Sequence, residues 1–286
     1  MNPIHFRGLN CYHDCVISVA NYLGLNYPAA FATLWSETDF HYDPYHEVYL
    51  SKRMLINLEV LGGKVEKWVC LSQKDADRNL TLFHEGEFMI VGMDAFYIPW
   101  NQFYQTFHGP HYFIAQNTKT ETLLCIDPTY NKKNEQITRR ELTSHTYEIC
   151  RIKRVAKKPL LIESIQEARE IVGTHPSTRR LLLSQIYACV NAERENIVLL
   201  AKYVDAMIRN RYLYRFFLEN QPMPYDENHL FLNSSFFGEW KTVKNGLYKA
   251  SVIKDNKSII NEVCDHFNHL IDEEIAMAEK IIQLMD

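Results

Sequence analysis

Three residues, Cys11, His111 and Asp127, are of the types that together carry nucleophilic catalysis. Cys11 stands in the run Asn10-Cys11-Tyr12-His13-Asp14-Cys15, where a loop enters a segment of helical period. Val16, Val19, Ala20 and Leu23 form one apolar stripe over Cys11 to Leu23, and Gly24 follows as a helix stop. A helix N-terminus carries partial positive charge and unsatisfied backbone N–H groups, which stabilise a thiolate and can face a developing oxyanion. Cys15 falls one turn further in, near the stripe, and reads as a buried structural thiol. His111 opens a strand-like run ending at Gln116, directly after Gly109-Pro110; Asp127 follows the next run, Thr122 to Ile126. A hairpin over 117–121 makes the two runs antiparallel neighbours, so the start of one lies beside the end of the other. That arrangement suits His111 as base and Asp127 as the carboxylate that orients it. Each residue also has a plain reading alone: inert buried thiol, strand-edge histidine, Asp-Pro turn. The three at fitting positions carry the argument.

The elements that position them follow from the patterning. Before residue 155 the chain alternates helix-like and strand-like segments. Short helices are predicted over Pro28 to Trp35, Ser51 to Leu61 and Ser72 to Leu82, and strands over Lys64 to Cys70, Glu87 to Val91, His111 to Gln116, Thr122 to Ile126 and Tyr147 to Ile152. Helices followed by hairpin-joined strands define an α+β order with an antiparallel sheet. A basic stretch from Lys153 to Lys158 ends in Pro159, and beyond it the pattern is helical: Leu161 to Val172, Pro176 to Asn210, Tyr212 to Glu219, Ser235 to Ala250 and Ser258 to Met285. Pro222 and Pro224 interrupt this half. The predicted organisation is a catalytic domain over 1–155 and an all-helical domain over 156–286.

Composition bounds the function. The 286 residues are 47% hydrophobic and 13% aromatic, enough for a sizeable core. A formal charge of −4 lacks the basic footprint of a nucleic-acid binder. No run reaches the roughly 18 apolar residues of a membrane span, and the N-terminus lacks the pattern of a secretory signal. Seven scattered cysteines, an odd number, point to reduced thiols and a cytoplasmic protein.

The segment CYHDCVISVANYLG, Cys11 to Gly24, resembles the nucleophile helix of C39-type papain-like peptidases, in which a Cys opens a helix that ends in Gly at this spacing. HYFIAQ and IDPTY resemble the His strand and the Asp-Pro of that fold. VGMDAFYIPW, Val91 to Trp100, with His108-Gly109-Pro110-His111 after it, is similar to the strand and loop ahead of the catalytic His in the butirosin-type acyltransferase family. Those proteins have a papain-like half and a helical half. The resemblance covers patches of the first 150 or so residues, and the second half only in character. It implies transfer of an acyl group from an acyl carrier protein thioester to Cys11, then to a small-molecule amine acceptor. No cofactor is implied beyond the phosphopantetheine that the donor carries. Peptidases of this type have a Gln six residues before the Cys and commonly a Gly after it; here those positions are His5 and Tyr12, which favours the acyltransferase branch. His5 and Asn10 are the side-chain candidates for the oxyanion donor. The alternatives are a peptidase or thioesterase, in which water resolves the acyl-enzyme, and a non-catalytic module that binds peptides or carrier proteins.

Asp94 reads either as a binder of the substrate amine or as a turn cap. Tyr97 and Trp100, within the aromatic cluster Phe96 to Phe107, read as lining of an acyl channel or as packing. His41, Asp43, His46 and Glu47 are close together but follow no zinc spacing, so no metal is expected. Ile259 to Leu284 carries an apolar stripe suited to a core or a homodimer contact.

Overall fold

The structure, a computed structural model, describes residues 1–44, 47–158, 164–190, 192–220 and 230–285. Along the chain run α1 (Cys11–Tyr22), β1 (Phe40–Asp43), β2 (Val48–Ser51), α2 (Arg53–Val60), β3 (Gly63–Val69), α3 (Gln73–Leu80), β4 (Phe88–Asp94), β5 (Pro110–Gln116), β6 (Thr122–Asp127), β7 (Lys132–Thr138), α4 (Arg139–His145) and β8 (Thr146–Arg154). Four long helices follow: α5 (Ser164–Ala188), α6 (Arg194–Glu219), α7 (Ser234–Ala250) and α8 (Lys257–Met285). The protein is α+β, as the patterning implies. Two compact units are formed: Met1–Ala30 with Leu55–Leu160, and Phe31–Met54 with Leu161–Asp286.

The first unit is built on a six-stranded antiparallel sheet in the order β3-β8-β4-β5-β6-β7. β4 and β5 are buried on both faces. Met89, Val91, Met93, Phe113 and Ala115 pack with Ala76 and Leu80 of α3 and Leu142 of α4. The alternate residues face α1: Tyr112 meets Tyr12 at 5.0 Å between ring centroids and Phe88 meets Tyr22 at 4.9 Å. Gly92 is on that same side because a Cβ there would lie 2.6 Å from the Tyr147 ring and 2.7 Å from the Tyr112 ring. β7 and α4 escape the sequence reading: Lys132-Lys133-Asn134-Glu135 is too polar to read as a strand, and it forms one as the edge neighbour of β6. The capping box of Thr138 and Glu141 then starts α4.

The second unit contains 31–54, a stretch that the sequence reading kept with the first domain. Its antiparallel β1–β2 pair is not among the predicted strands, and aromatic contacts explain its membership. Tyr203 of α6 meets Phe40 at 5.2 Å and Tyr49 at 5.3 Å, and its hydroxyl donates to the Thr38 carbonyl at 2.5 Å. The helices also differ from the reading at their ends. α5 passes through Pro176 and ends at Ala188, after which Cys189 and Val190 make tightened i→i−3 turns. α6 continues without interruption past Asn210. Pro222 and Pro224 lie outside the described residues. The α8 stripe, including Ile260, Val263, Phe267, Leu270 and Ile271, is buried within the unit, where α8 packs on α5 and α7. No described helix is long and apolar enough to cross a membrane.

A fully buried charge cluster ties these helices together. Arg211 holds Glu274 through Nε and Nη2 at 2.5 and 2.6 Å, and His175 Nε2 lies 2.8 Å from the same carboxylate. Burial alone would raise the Glu274 pKa, but Arg211 and His175 outweigh it and hold it down at about 2, from the usual 4.5. The contribution to stability is therefore present above about pH 4.5 and is lost as pH falls toward 2. Glu274→Gln leaves the Arg211 charge buried without a counter-charge and is expected to cost about 3–5 kcal/mol. A urea titration at pH 7 reads this directly, and the deficit relative to wild type should shrink at pH 3.

Candidate active site

Asn10 caps α1: its backbone is extended (φ −112°, ψ 174°) and its Oδ1 accepts the N–H of His13 at 2.9 Å. Cys11 is thus the first helical residue, half-buried and reduced, and the amides of the first turn have no partner within the helix. Asn10 spends its carbonyl oxygen on the cap, so of its side chain only the amide nitrogen is left for an oxyanion.

β5 carries His111 at its second position, opposite Met93 of β4. β5 and β6 pair Ile114 with Ile126, which brings the end of β6 beside the start of β5. The β6–β7 register shifts between Cys125 and Asp127, and such a bulge re-aims the side chain at the strand end. His111 Nε2 and Asp127 Oδ2 are 2.7 Å apart, with both side chains buried. Cys11 lies close enough to the imidazole to act on His111. Since Nε2 belongs to Asp127, Nδ1 is the nitrogen left for the thiol. The structure therefore brings together Cys11, His111 and Asp127, the three residues singled out for chemistry.

The electrostatics favour the protonated imidazole of His111. Burial lowers the His111 pKa, but the hydrogen bonds to Asp127 and Cys11 and their negative charges outweigh it and push the value from about 6.5 up to about 9. Asp127 is fully buried and satisfied on both oxygens: Oδ2 also accepts the Trp100 indole N–H at 3.0 Å, and Oδ1 faces the Tyr130 amide at 3.4 Å. Tyr130 covers the imidazole, 5.2 Å between ring centroids. Trp100 is thus a support of the carboxylate. Tyr97 stacks on His145 at 3.5 Å and packs against the core. Asp94 is the turn cap: Oδ1 accepts from the amides of Phe96 and Gly109, both at 3.1 Å, and Oδ2 lies 2.6 Å from His108 Nδ1. Its carboxylate has no contact with the Cys11–His111–Asp127 set. His5 lies 2.9 Å from Asp14 through Nδ1, with half of its side chain exposed.

Sequence reasoning missed Asp14, Thr129 and Tyr130. The Thr129 hydroxyl donates to Asp14 Oδ2 at 2.7 Å across 115 residues of sequence, a separation for which no local pattern gives a signal. No group of three metal-ligating side chains occurs among the described residues; of the cluster at 41–47, His46 lies outside them. A cavity of about 480 Å³ lies in the second unit, lined by Leu181, Leu182, Cys189, Leu200 and Tyr203 among others, and includes none of the three site residues.

A thiol at a helix start, an imidazole beside it and a buried carboxylate behind the imidazole are the groups, in the order, that a cysteine nucleophile requires. No family model matches the chain, and no curated protein matches it at a significant level.

Proposed function

We propose that this protein is a papain-like cysteine acyltransferase, in which Cys11 takes an acyl group from a thioester and passes it to an amine. The observation that carries the reading is the buried His111–Asp127 pair, 2.7 Å apart, with Cys11 on the imidazole at the N-terminus of α1. The Cys11 thiolate attacks the thioester carbonyl, and the oxyanion forms beside the first-turn amides. The carbon–sulfur bond to the donor breaks, and the His111 imidazolium gives its proton to the departing thiolate. Acyl-Cys11 and neutral His111 remain. The amine then attacks the acyl carbon, its proton passes to His111, and Cys11 leaves as thiolate. One thioester and one amine become one thiol and one amide, and the starting pair is restored.

The carrier-protein donor, with its phosphopantetheine arm, and the small-molecule amine acceptor rest on the resemblance to the butirosin-type family. The half-exposed His5 in place of the peptidase Gln favours transfer over peptide cleavage. Free cysteines throughout favour a cytoplasmic, reducing location. Incubation with an acyl-pantetheine thioester tests the reading. We expect a mass increase on Cys11 equal to the acyl group, and amide product when a primary amine is supplied. Free acid as the sole product with every amine would replace the transferase by a thioesterase. Absence of any acyl-enzyme would leave the binding-module alternative.

A further inference from the structure

We infer that Asp14 is a positioning residue of the Cys11 site, closing a circuit that joins the nucleophile helix to the turn behind Asp127. The inference rests on the reading of Cys11 as nucleophile. Asp14 follows Cys11 by three residues and so projects from the same side of α1; Ser18, four further on, continues that side. Its side chain is wholly buried. Oδ2 accepts the Thr129 hydroxyl at 2.7 Å and lies 2.9 Å from His5 Nδ1, whereas Oδ1 is equally buried and has no hydrogen-bond partner among the described residues.

A half-satisfied buried carboxylate is costly, and burial pushes its pKa up against the hydrogen bonds from Thr129 and His5. An apolar residue at this helix position would avoid that cost, so packing alone does not account for an acid here. The bond to Thr129 does. Thr129 is two residues past Asp127, and the intervening Pro128 is buried with its φ fixed by the ring, so a shift of Thr129 is transmitted to the carboxylate. Asp127 holds His111, His111 meets Cys11, and Cys11 opens the helix that bears Asp14. The loop of contacts is closed.

The N-terminal segment is the third member. The Ile4 amide donates to Ser18 Oγ at 2.8 Å, and Lys133 Nζ of β7 donates to Asn2 Oδ1 at 3.3 Å, so 2–5 is fastened on both sides of Asp14 and presents His5 to it. The titratable groups that act on Asp14 are His5 from this segment and Asp127 from the turn; Asp14 in turn acts on Cys15 of its own helix. The circuit sets the spacing between thiol and imidazole, where an error of about 1 Å can cost 100-fold in rate.

Alkylation of the full-length protein by iodoacetamide between pH 5 and 10, with the Cys11 peptide quantified by mass, tests this. Thr129→Val removes the hydroxyl at constant shape and is expected to slow Cys11 alkylation about tenfold and to move the alkaline limb, set by His111, to lower pH. Thr129→Ser keeps the hydroxyl and should retain the wild-type rate and limb. Asp14→Asn should slow alkylation at least as much as Thr129→Val, and the double variant should be no slower than the slower single one. A Thr129→Val protein with wild-type rate and limb, or a Thr129→Ser protein as slow as Thr129→Val, overturns the inference. Wild-type Cys11 reacting no faster than an ordinary free thiol overturns the nucleophile reading instead.

Discussion

Cys11→Ala is expected to abolish acyl-enzyme formation and to lower turnover by about 10⁶-fold, the scale on which removal of a covalent nucleophile acts. No neighbouring group can substitute. Cys15 is fully buried and its thiol is pushed well above its ordinary pKa, first by burial and then by the charge of Asp127. Cys125 and Cys150 are buried as well, and burial raises both. Folding should survive, because the cap of α1 is made by Asn10 and the packed face of the helix lies at Tyr12 to Ala20. Intact-mass analysis after exposure to acyl-pantetheine, beside a thermal melt, separates loss of chemistry from loss of structure. A Cys11→Ala protein that still accumulates acyl-enzyme on another residue would remove Cys11 from the mechanism.

The second large effect belongs to Asp127, and its size depends on the replacement. Asp127→Ala removes the acceptor of both His111 and Trp100, so the imidazole loses its tautomer and orientation, and a drop of about 10²- to 10⁴-fold in kcat/KM is expected. Asp127→Asn should be much milder, about tenfold. The Trp100 indole N–H donates to the same oxygen that His111 meets, so it forces the Asn carbonyl oxygen, not the amide NH₂, toward the imidazole. The base keeps its tautomer and loses only the negative charge. That charge is one of the causes that raise the His111 pKa to about 9, so the alkaline limb of the pH–rate profile should end near pH 9 in wild type and move toward 6.5 in the Asn variant. The same shift stabilises the folded chain below about pH 6.5, and this contribution is lost as pH rises through about 9. A limb unchanged by Asp127→Asn would show that another group controls it.

Much of this site is legible in local sequence, because each member sits at a position that local rules mark. The apolar stripe over Cys11 to Leu23 announces the helix that begins at Cys11, and Gly24 its end. The alternating runs on either side of 117–121 announce a hairpin, and a hairpin alone is enough to make neighbours of His111 and Asp127. What these rules cannot convey is the environment of a side chain. Asp94 and Asp127 both end strands ahead of turns, yet one caps the turn at 95–97 while the other lies fully buried behind an imidazole. Trp100 reads as channel lining or as packing, and neither reading conveys its hydrogen bond to a residue 27 positions away.

The amino-acid order by itself determined the α+β class, the helix that begins at Cys11 and the hairpin that pairs the His and Asp strands, because capping, periodicity and turn chemistry act over a few residues. Tertiary structure alone decided that α1 packs on β4 and β5 so that the thiol meets the imidazole. It also decided that 31–54 packs with the helical unit, and that Asp14 and Thr129 join α1 to the Asp127 turn. The reason is the range of the forces involved. Burial and the need to satisfy buried polar groups are settled only when segments over a hundred residues apart exclude water from one another.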